Sequence, residues 1–576
     1  MSSRLLSKNT EHISIVLCGQ AGQGIQTVEF LLTRILKLAG YNVFATKEYM
    51  SRIRGGTNST EIRVSSAPVR AFVSRIDVLV ALNKGAVEHV EKRILPGTLV
   101  LAEKESLGED FDRTRCNCID VQFGEIAANI GNKLYSNIVA VGTITGLLGL
   151  DLGTVSSYTR RFFAGKANKL IQENVQAASA GHSIGAELAN SRKVKIDIAK
   201  DPTVREQILL SGTEAVALGA IAGGGNFISG YPMTPATGVL AFLARHAKDF
   251  GIIAEQAEDE IAAINMAIGA SYAGARAMVA TSGGGFALMT EGLSLAGMLE
   301  VPVVLVLGQR PGPATGLPTR TEQADLEFAL YAGHGEFPRI IFAPGKLEDA
   351  FYLTQKAFNV ADKHQVPVFV LTDQYFMDSH YNVASPDLSG LKIEKHIVET
   401  DKDYERYALT EGGISPRGVP GFGEGLVVVD SDEHDTQGHI TEDLELRAEM
   451  VEKRLKKMDA IKNDTMLPEL VGPEDYKVLA VCWGSTLDLV NEAIKNLTRG
   501  DVAFLHFKQV YPVHDKVAAY LERAEKTIII ENNATGQFAR LIKLHTGIDI
   551  ENRILKYSGL SFSVEELTER LNRLLI

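Results

Sequence analysis

The sequence predicts an α/β protein made of several open, mainly parallel sheets. Three observations predict it. Short apolar runs alternate with helical stretches along most of the chain. Glycine- or proline-stiffened turns follow three of those runs, at residues 18–24, 230–236 and 281–286. With 576 residues, the chain is too long for one hydrophobic core, so roughly two to four domains are expected.

In chain order, Ile13–Leu17 reads as a strand, Cys18–Gly24 as a glycine loop and Ile25–Leu38 as a helix with apolar residues at 28, 31, 32, 35, 36 and 38. Strand, glycine loop and helix open a doubly wound domain, expected over 1–190. Further strands are expected at Asn42–Ala45, Asp77–Ala81 and Thr98–Ala102. Residues 191–205 are charged and read as a linker. A second domain, 206–385, has strand candidates at 226–229, 276–281, 302–307, 339–342 and 367–372, and a small-residue helix at 259–274. Residues 386–472 are turn-rich and then charged, with a helix over Glu442–Ile461, and read as a wrapping connection. The last domain, 473–576, has strands expected at Val478–Cys482, Val502–Phe507, Thr527–Glu531 and Ile554–Tyr557.

Composition excludes some functions. A net charge of −12 argues against non-specific nucleic-acid binding. No apolar run is long enough to span a membrane, and MSSRLLSKNTEH lacks the apolar core of a signal peptide, so a cytoplasmic location is expected. The four cysteines, Cys18, Cys116, Cys118 and Cys482, form no C-x-x-C pair. Free thiols are expected, with no metal site on this chain.

Several stretches could carry chemistry. In Gly230-Tyr-Pro-Met-Thr-Pro-Ala236, two prolines rule out helix and stiffen a turn that presents the Thr234 hydroxyl at the carboxyl end of a strand. The residues leave open a ligand-binding turn or a plain one. Gly19-x-x-Gly22-x-Gly24 could bring backbone N–H groups to a phosphate, or close a tight turn. Arg52 and Arg54 flank glycines in a loop that could hold an anion or be merely solvated. Arg310 follows a strand and could fork onto a carboxylate or pair with a neighbouring acid. Glu255, Glu258 and Glu260 crowd a helix start, where acids suit the macrodipole. One of them facing the small-residue side would be buried, with its pKa raised; spacing does not say which. Thr281–Phe286 is a further glycine turn, and Asp430, Asp432, His434 and His439 read as a solvated acidic turn.

Together these pieces resemble the 2-oxoacid:ferredoxin oxidoreductases, in particular an α subunit with the γ domain fused at its N-terminus. The γ-like blocks are CGQAGQGIQ and SRIRGGTNSTEIRV. The α-like blocks are SGTEAVALGA, GYPMTP, EQAEDEIAAINMAIGASYAGARAM, TSGGGF, QRPGPATGLPTRTEQADL, YAGHGEFPR, GISPRGVPG, DEHDTQGHITED and ENNATGQ. Three positions depart from the family pattern: Met233 for Ile, Gly284 for Pro and Ala314 for Ser.

The resemblance implies three α/β domains, including a pyrimidine-type domain of thiamine enzymes and a transketolase C-terminal-like domain. It implies thiamine diphosphate shared with a separate β subunit, which holds the diphosphate, Mg²⁺ and a [4Fe–4S] cluster. The nearest thing here to a diphosphate motif, Gly500-Asp501-Val502, lacks the second glycine. The family decarboxylates a 2-oxoacid, passes electrons to ferredoxin and gives the acyl group to coenzyme A, reversibly, in an (αβ)₂ assembly. By match, Glu258 meets the aminopyrimidine ring, and Tyr231, Pro232, Ser282 and Gly283 line the cofactor. Thr234, Pro235, Arg310 and Thr319 would meet the substrate. Gly22, Gly24, Arg52 and Arg54 would serve coenzyme A. The fusion and the PTRTEQADL loop most resemble 2-oxoglutarate-type members. Pyruvate and branched-chain or aryl 2-oxoacids are alternatives, and a non-catalytic binding subunit is the reading from another class.

Overall fold

A computed structural model describes residues 6–9, 11–20, 24–51, 56–108, 111–191 and 194–575. It divides into two compact units: Met1–Leu210 with Ser379–Ser385, and Ser211–Asp378 with Pro386–Ile576.

The first unit carries an eight-stranded sheet. From edge to edge it runs Asn117–Asp120, Leu99–Ala102, Val78–Ala81, His12–Gln20, Thr57–Ser65, Asn42–Glu48, His380–Val383 and Ile208–Ser211. The first four strands are parallel. Thr57–Ser65 runs antiparallel to both its neighbours. It had no apolar signature because it buries polar residues in pairs: Glu61 takes two hydrogen bonds from Arg93, at 2.8 and 2.7 Å. Helix Ile25–Ala39 starts at Gly24, whose φ of 77° favours glycine, and stops at Gly40, with φ 94°. Val28, Leu31, Leu32, Ile35 and Leu36 are its buried stripe, as the helical period expects. Helices Ser136–Leu147 and Asn168–Asn190 meet backbone to backbone, because a Cβ on Gly142, Gly146, Gly181 or Gly185 would overlap the facing helix. The segment expected as a linker contains strand Val194–Asp197, paired in parallel with Leu6–Asn9, and a 3₁₀ turn at Pro202–Glu206.

The second unit holds two sheets over one apolar core that runs from Ala257 to Ile550. The larger sheet has the order Ile253–Gln256, Phe227–Gly230, Ala277–Ser282, Val303–Gln309, Pro367–Asp373, Ile340–Phe342, Gln509–Tyr511. Its first six strands are parallel, and the last is antiparallel. That last strand comes from the C-terminal segment and closes the edge of the larger sheet. The five-stranded sheet runs Glu469–Val471, Val502–Phe507, Val478–Trp483, Lys526–Glu531, Asn552–Leu555. Between them, residues 386–443 contain no named helix or strand, and helix Leu444–Asn463 follows. Buried arginines stitch this segment down. Arg417 pairs with Asp362 at 2.7 Å, and Arg406 donates to the Glu300 carbonyl at 2.7 Å and to Gln365 Oε1 at 3.0 Å.

Candidate active site

Three adjacent parallel strands of the larger sheet, Phe227–Gly230, Ala277–Ser282 and Val303–Gln309, end on the same side. Ligands in open α/β sheets bind beyond such carboxyl ends. Each strand there gives way to a stretch singled out from the sequence: the Tyr231–Ala236 turn, the Gly283–Gly285 turn and the loop from Arg310 to Ala324.

The first turn is packed onto the third strand. A Cβ on Gly308 would come within 2.8 Å of Pro235 Cγ, so only glycine lets the proline seat there. The Thr234–Pro235 bond is cis. Arg310 Nη1 donates to the Thr234 carbonyl at 2.8 Å, which ties the turn to the start of the long loop. Arg310 Nε is buried with no hydrogen-bond partner among the described residues. Burial lowers the Arg310 pKa, and Asp325 opposes that.

Helix Glu260–Tyr272 is anchored against the first strand by Ser229 Oγ, which donates to the Ala263 carbonyl at 2.6 Å. Asp259 caps it, accepting from the Ala262 N–H at 2.8 Å. This cap fixes the phase of the three acids. Glu258 lies before the cap and is exposed. Glu260, one residue inside the helix, is 3% exposed, and its Oε1 has no partner among the described residues. Burial raises its pKa, with Asp259 adding to the rise and a backbone hydrogen bond opposing it. The buried carboxylate expected from the sequence is therefore Glu260. Glu258, which the resemblance matches to the cofactor ring, is exposed in this chain alone.

The glycine turn makes room for this carboxylate. A Cβ on Gly285 would overlap both Glu260 Oε1 and Thr281 Oγ1, and one on Gly283 would overlap the Asp325 carboxyl. Ser282 Oγ is fully buried and unpartnered among the described residues, and so is Asp325 Oδ2 as an atom. Asp325 was not singled out from the sequence. Its backbone N–H donates to Gln309 Oε1 at 2.9 Å, and Gln309 Nε2 donates to the Thr372 carbonyl at 3.0 Å. Burial, helped by Glu322 and opposed by Arg310, pushes its pKa up to about 6. The only sequence signal for it was the QADL end of the loop.

The carboxyl half of the loop is clamped. Thr321 Oγ1 donates to Asp373 Oδ1 at 3.1 Å, and Gln323 Nε2 donates to the Trp483 carbonyl at 3.0 Å. Gly312–Leu317 stands in solvent, and Thr319 is half-buried between the two parts. Tyr231 and Pro232 are exposed at the mouth.

A buried polar atom left unbonded costs about 1–3 kcal/mol, so such atoms are normally rare and scattered. Here Glu260 Oε1, Ser282 Oγ, Arg310 Nε and Asp325 Oδ2 lie beyond the carboxyl ends of the same strands. The set offers an anion-binding fork, a hydroxyl and two carboxyls whose pKa values are raised, which suits holding a carboxylate and moving a proton.

Comparison with known proteins meets this geometry. A family model described as pyruvate flavodoxin/ferredoxin oxidoreductase, thiamine diphosphate-binding, matches residues 218–453, and one described as pyruvate ferredoxin/flavodoxin oxidoreductase matches residues 14–184. The 2-oxoacid:ferredoxin oxidoreductase subunit alpha of Sulfolobus sp is 33% identical, over 97% of this chain and 96% of its own. The chain belongs to the 2-oxoacid:ferredoxin oxidoreductase α subunits. The 2-oxoglutarate oxidoreductase subunit KorA of Mycobacterium tuberculosis is 28% identical, over 97% of this chain and 90% of its own. The 2-oxoglutarate:ferredoxin oxidoreductase of Magnetococcus marinus, solved with 2-oxoglutarate, coenzyme A and succinyl-CoA bound, superposes with a TM-score of 0.90 at 30% identity. That match covers 98% of this chain and all of the other.

For this oxidoreductase α subunit, the other sequence-derived positions fall as follows. Gly22, Arg52 and Arg54 lie outside the described residues. Gly24 starts helix Ile25–Ala39 in the first unit. Asp501 pairs with Arg499 at 2.8 Å. His434 is buried against the Tyr407 ring rather than solvated, with centroids 3.9 Å apart. No group of three metal-ligating side chains occurs among the described residues, and no described helix is long and apolar enough to cross a membrane.

Proposed function

We propose that this chain is the fused γ–α subunit of an enzyme that converts 2-oxoglutarate and coenzyme A to succinyl-CoA and CO₂, reducing ferredoxin, in a reversible reaction. The observation that carries the proposal is the convergence of Thr234, Glu260, Ser282, Arg310 and Asp325 beyond three parallel strands. The 2-oxoglutarate relatives named above, matched over nearly the whole chain, support the choice of substrate.

The buried, unpartnered Glu260 Oε1, Ser282 Oγ and Asp325 Oδ2 suit the polar edge of the aminopyrimidine half of thiamine diphosphate. When bound, that cofactor supplies the carbanion that attacks the 2-oxo carbon. Glu260 Oε1 would hold a proton at the ring nitrogen, since burial raises its pKa toward the neutral acid. Ser282 and Gly283 would line the ring, with Tyr231 and Pro232 at the rim. Arg310 would take the substrate carboxylate in a bidentate grip, held in position by its bond to the Thr234 carbonyl. The Thr234 hydroxyl, with Thr319 and Pro235, would border the reacting end. Closing the site with a partner would exclude water and strengthen each of these contacts. The partner is proposed to be a β subunit that holds the diphosphate, Mg²⁺ and a [4Fe–4S] cluster, in an (αβ)₂ assembly. Gly24, with Gly22, Arg52 and Arg54, would meet coenzyme A.

The test is coenzyme-A-dependent reduction of a viologen dye, measured anaerobically on the chain co-expressed with its partner across a panel of 2-oxoacids. Selective reduction with 2-oxoglutarate, lost in Glu260→Gln but kept in Glu258→Gln, is expected. Selectivity for pyruvate or a branched-chain or aryl 2-oxoacid would overturn the substrate and leave the chemistry. No turnover with any 2-oxoacid, in a complex carrying thiamine and cluster, would sink the enzymatic reading in favour of a binding subunit.

A further inference from the structure

Nothing in the reaction above uses Cys116 and Cys118. They lie in the first unit, at the start of Asn117–Asp120, an edge strand bonded along one side to Leu99–Ala102. Cys116 is extended, with φ −151° and ψ 178°. Residues two apart in extended chain point to one face. The two sulfurs are accordingly 3.4 Å apart, one S–H donating to the other.

Their surroundings differ. Cys116 is buried, packed on the apolar cluster that includes Val100 and Leu107. Cys118, packed against the same cluster, is only half-buried. Arg113 acts on Cys118, while Arg115 and Asp112 act on Cys116 with opposite signs. Arg113 also donates to the Lys104 carbonyl at 3.2 Å, and Arg115 lies 3.4 Å from Glu91. The hydrogen bond from Cys116, and then Arg113, pull the Cys118 thiol below its usual range against burial. The same bond, with burial, pushes Cys116 up. Reactive thiols are thiolate-prone, reachable and set beside a resolving thiol. Cys18 and Cys482 are the opposite case: both are buried, and burial raises both thiols.

We infer that Cys116 and Cys118 form a peroxide-reactive dithiol, with Cys118 as the attacking sulfur and Cys116 as the resolving one. The Cys118 thiolate attacks one oxygen of a hydroperoxide. The O–O bond breaks, a sulfenic acid forms, and the leaving alkoxide or hydroxide takes a proton from solvent. The sulfur loses two electrons and the peroxide gains them. The Cys116 sulfur then attacks Cys118 Sγ, an S–S bond forms, the S–O bond breaks, and the hydroxyl leaves as water with the Cys116 proton. Overall, two thiols and one hydroperoxide give one disulfide, one alcohol or water, and a further water. The sulfurs must close from 3.4 Å to about 2.05 Å, within side-chain reach. A disulfide spanning a single residue is strained, so a dithiol reductant would reopen it readily.

The test uses the full chain, purified without oxygen and exposed briefly to an equimolar amount of hydrogen peroxide. Remaining thiols are alkylated after unfolding, and the peptides are weighed. The peptide carrying both cysteines should be found two hydrogens lighter and unalkylated, formed at least ~10-fold faster than any oxidation of Cys18 or Cys482. Cys116→Ser should stop at a sulfenic acid on Cys118 that a carbon nucleophile traps. Cys118→Ser should lose at least ~10-fold in rate while keeping the wild-type Tm. Oxidation no faster than at Cys482, or a wild-type product that stops at sulfenic acid, would overturn the inference. These two readings come from the wild-type chain and do not depend on either variant folding.

Discussion

Glu300 and Glu260 are both buried carboxylates of the second unit, 1% and 3% exposed. The Glu300 carboxylate takes hydrogen bonds from Lys453 Nζ at 2.6 and 2.9 Å and pairs with Lys457, while Arg406 donates to its carbonyl. Burial alone would raise its pKa, but Lys457, Lys453 and Arg406 hold it well below the carboxylate range. Glu260 has no such cations, and its Oε1 is left without a partner among the described residues. Burial therefore wins, and the acid is pushed toward its neutral form. Two carboxylates of similar burial thus do opposite jobs. One is saturated with partners and staples helix Leu444–Asn463 to the core. The other has an oxygen left without a partner among the described residues, as a proton-holding group at a proposed site would.

The comparison is broken most forcefully at Glu300. Glu300→Ala leaves Lys453, Lys457 and Arg406 buried around no anion, and removing one partner of a buried pair costs about 3–5 kcal/mol. A fall in Tm of many degrees, or failure to fold, is expected by calorimetry. Glu260→Ala should leave Tm unchanged or raised, since it removes an unpaired polar group. Equal destabilisation by the two substitutions would end the distinction between staple and site.

Function should show the reverse order. Glu260→Gln removes a proton-carrying group from the proposed site, a change of about 10²–10⁴ in kcat for general acid–base work. Glu300→Gln, if folded, should retain kcat within a few-fold. Arg310→Lys keeps the charge but loses the planar fork. It should weaken substrate capture by about 10- to 100-fold in kcat/KM, since charge-assisted bonds are each worth about 1.5–3 kcal/mol. An unchanged KM would remove Arg310 from the substrate.

The staple and the site were unequally legible in the sequence. Prolines at 232 and 235 and glycines at 283–285 marked the strand ends, because turn chemistry is local. The identity of the buried acid was not local. Glu255, Glu258 and Glu260 lie within six residues, and only the cap at Asp259 sets which one enters the small-residue helix in the right phase. Asp325 was invisible for a similar reason: a long loop carries it back beside Gly283, 42 positions earlier in the chain. Strand Thr57–Ser65 was missed because its buried face includes Glu61 paired to Arg93, which hides it from hydropathy. The staple was equally hidden, since Glu442–Ile461 reads only as a charged helix until Lys453 and Lys457 are seen buried.

Asp325 sharpens the contrast through pH. Its folded pKa is raised to about 6 from an ordinary 3.8. The neutral acid is favoured in the fold, so stability is intact below about pH 4 and declines as pH rises through 6. Asp325→Asn abolishes that decline. Above pH 6 the variant should be more stable by at most ~3 kcal/mol, with about half the gain left at pH 5 and none near pH 4. Denaturant melts at the three pH values measure it, and a gain that does not depend on pH would contradict the assignment. Glu300→Gln should show the opposite slope, because the folded Glu300 pKa is depressed, so the stability its charge gives the wild type shrinks as pH falls toward 4.

A small effect on stability is expected at Gly285, and it separates room from chemistry. Its Cβ-free position lets Glu260 Oε1 and Thr281 Oγ1 share one space. In Gly285→Ala the new methyl must displace both, Glu260 Oε1 among them. Overpacking costs about 1–3 kcal/mol, and the gain from replacing a helical glycine by alanine returns about 0.5–1. The net change in Tm should therefore be only a few degrees. Activity should fall much further than stability, because one of the atoms pushed aside is the one proposed to hold the proton. The measurement is kcat beside Tm for the same preparation. If both fall in proportion, Gly285 is simply part of the core. If Tm holds while kcat drops, the glycine is there to keep an unpaired carboxylate where a cofactor can meet it.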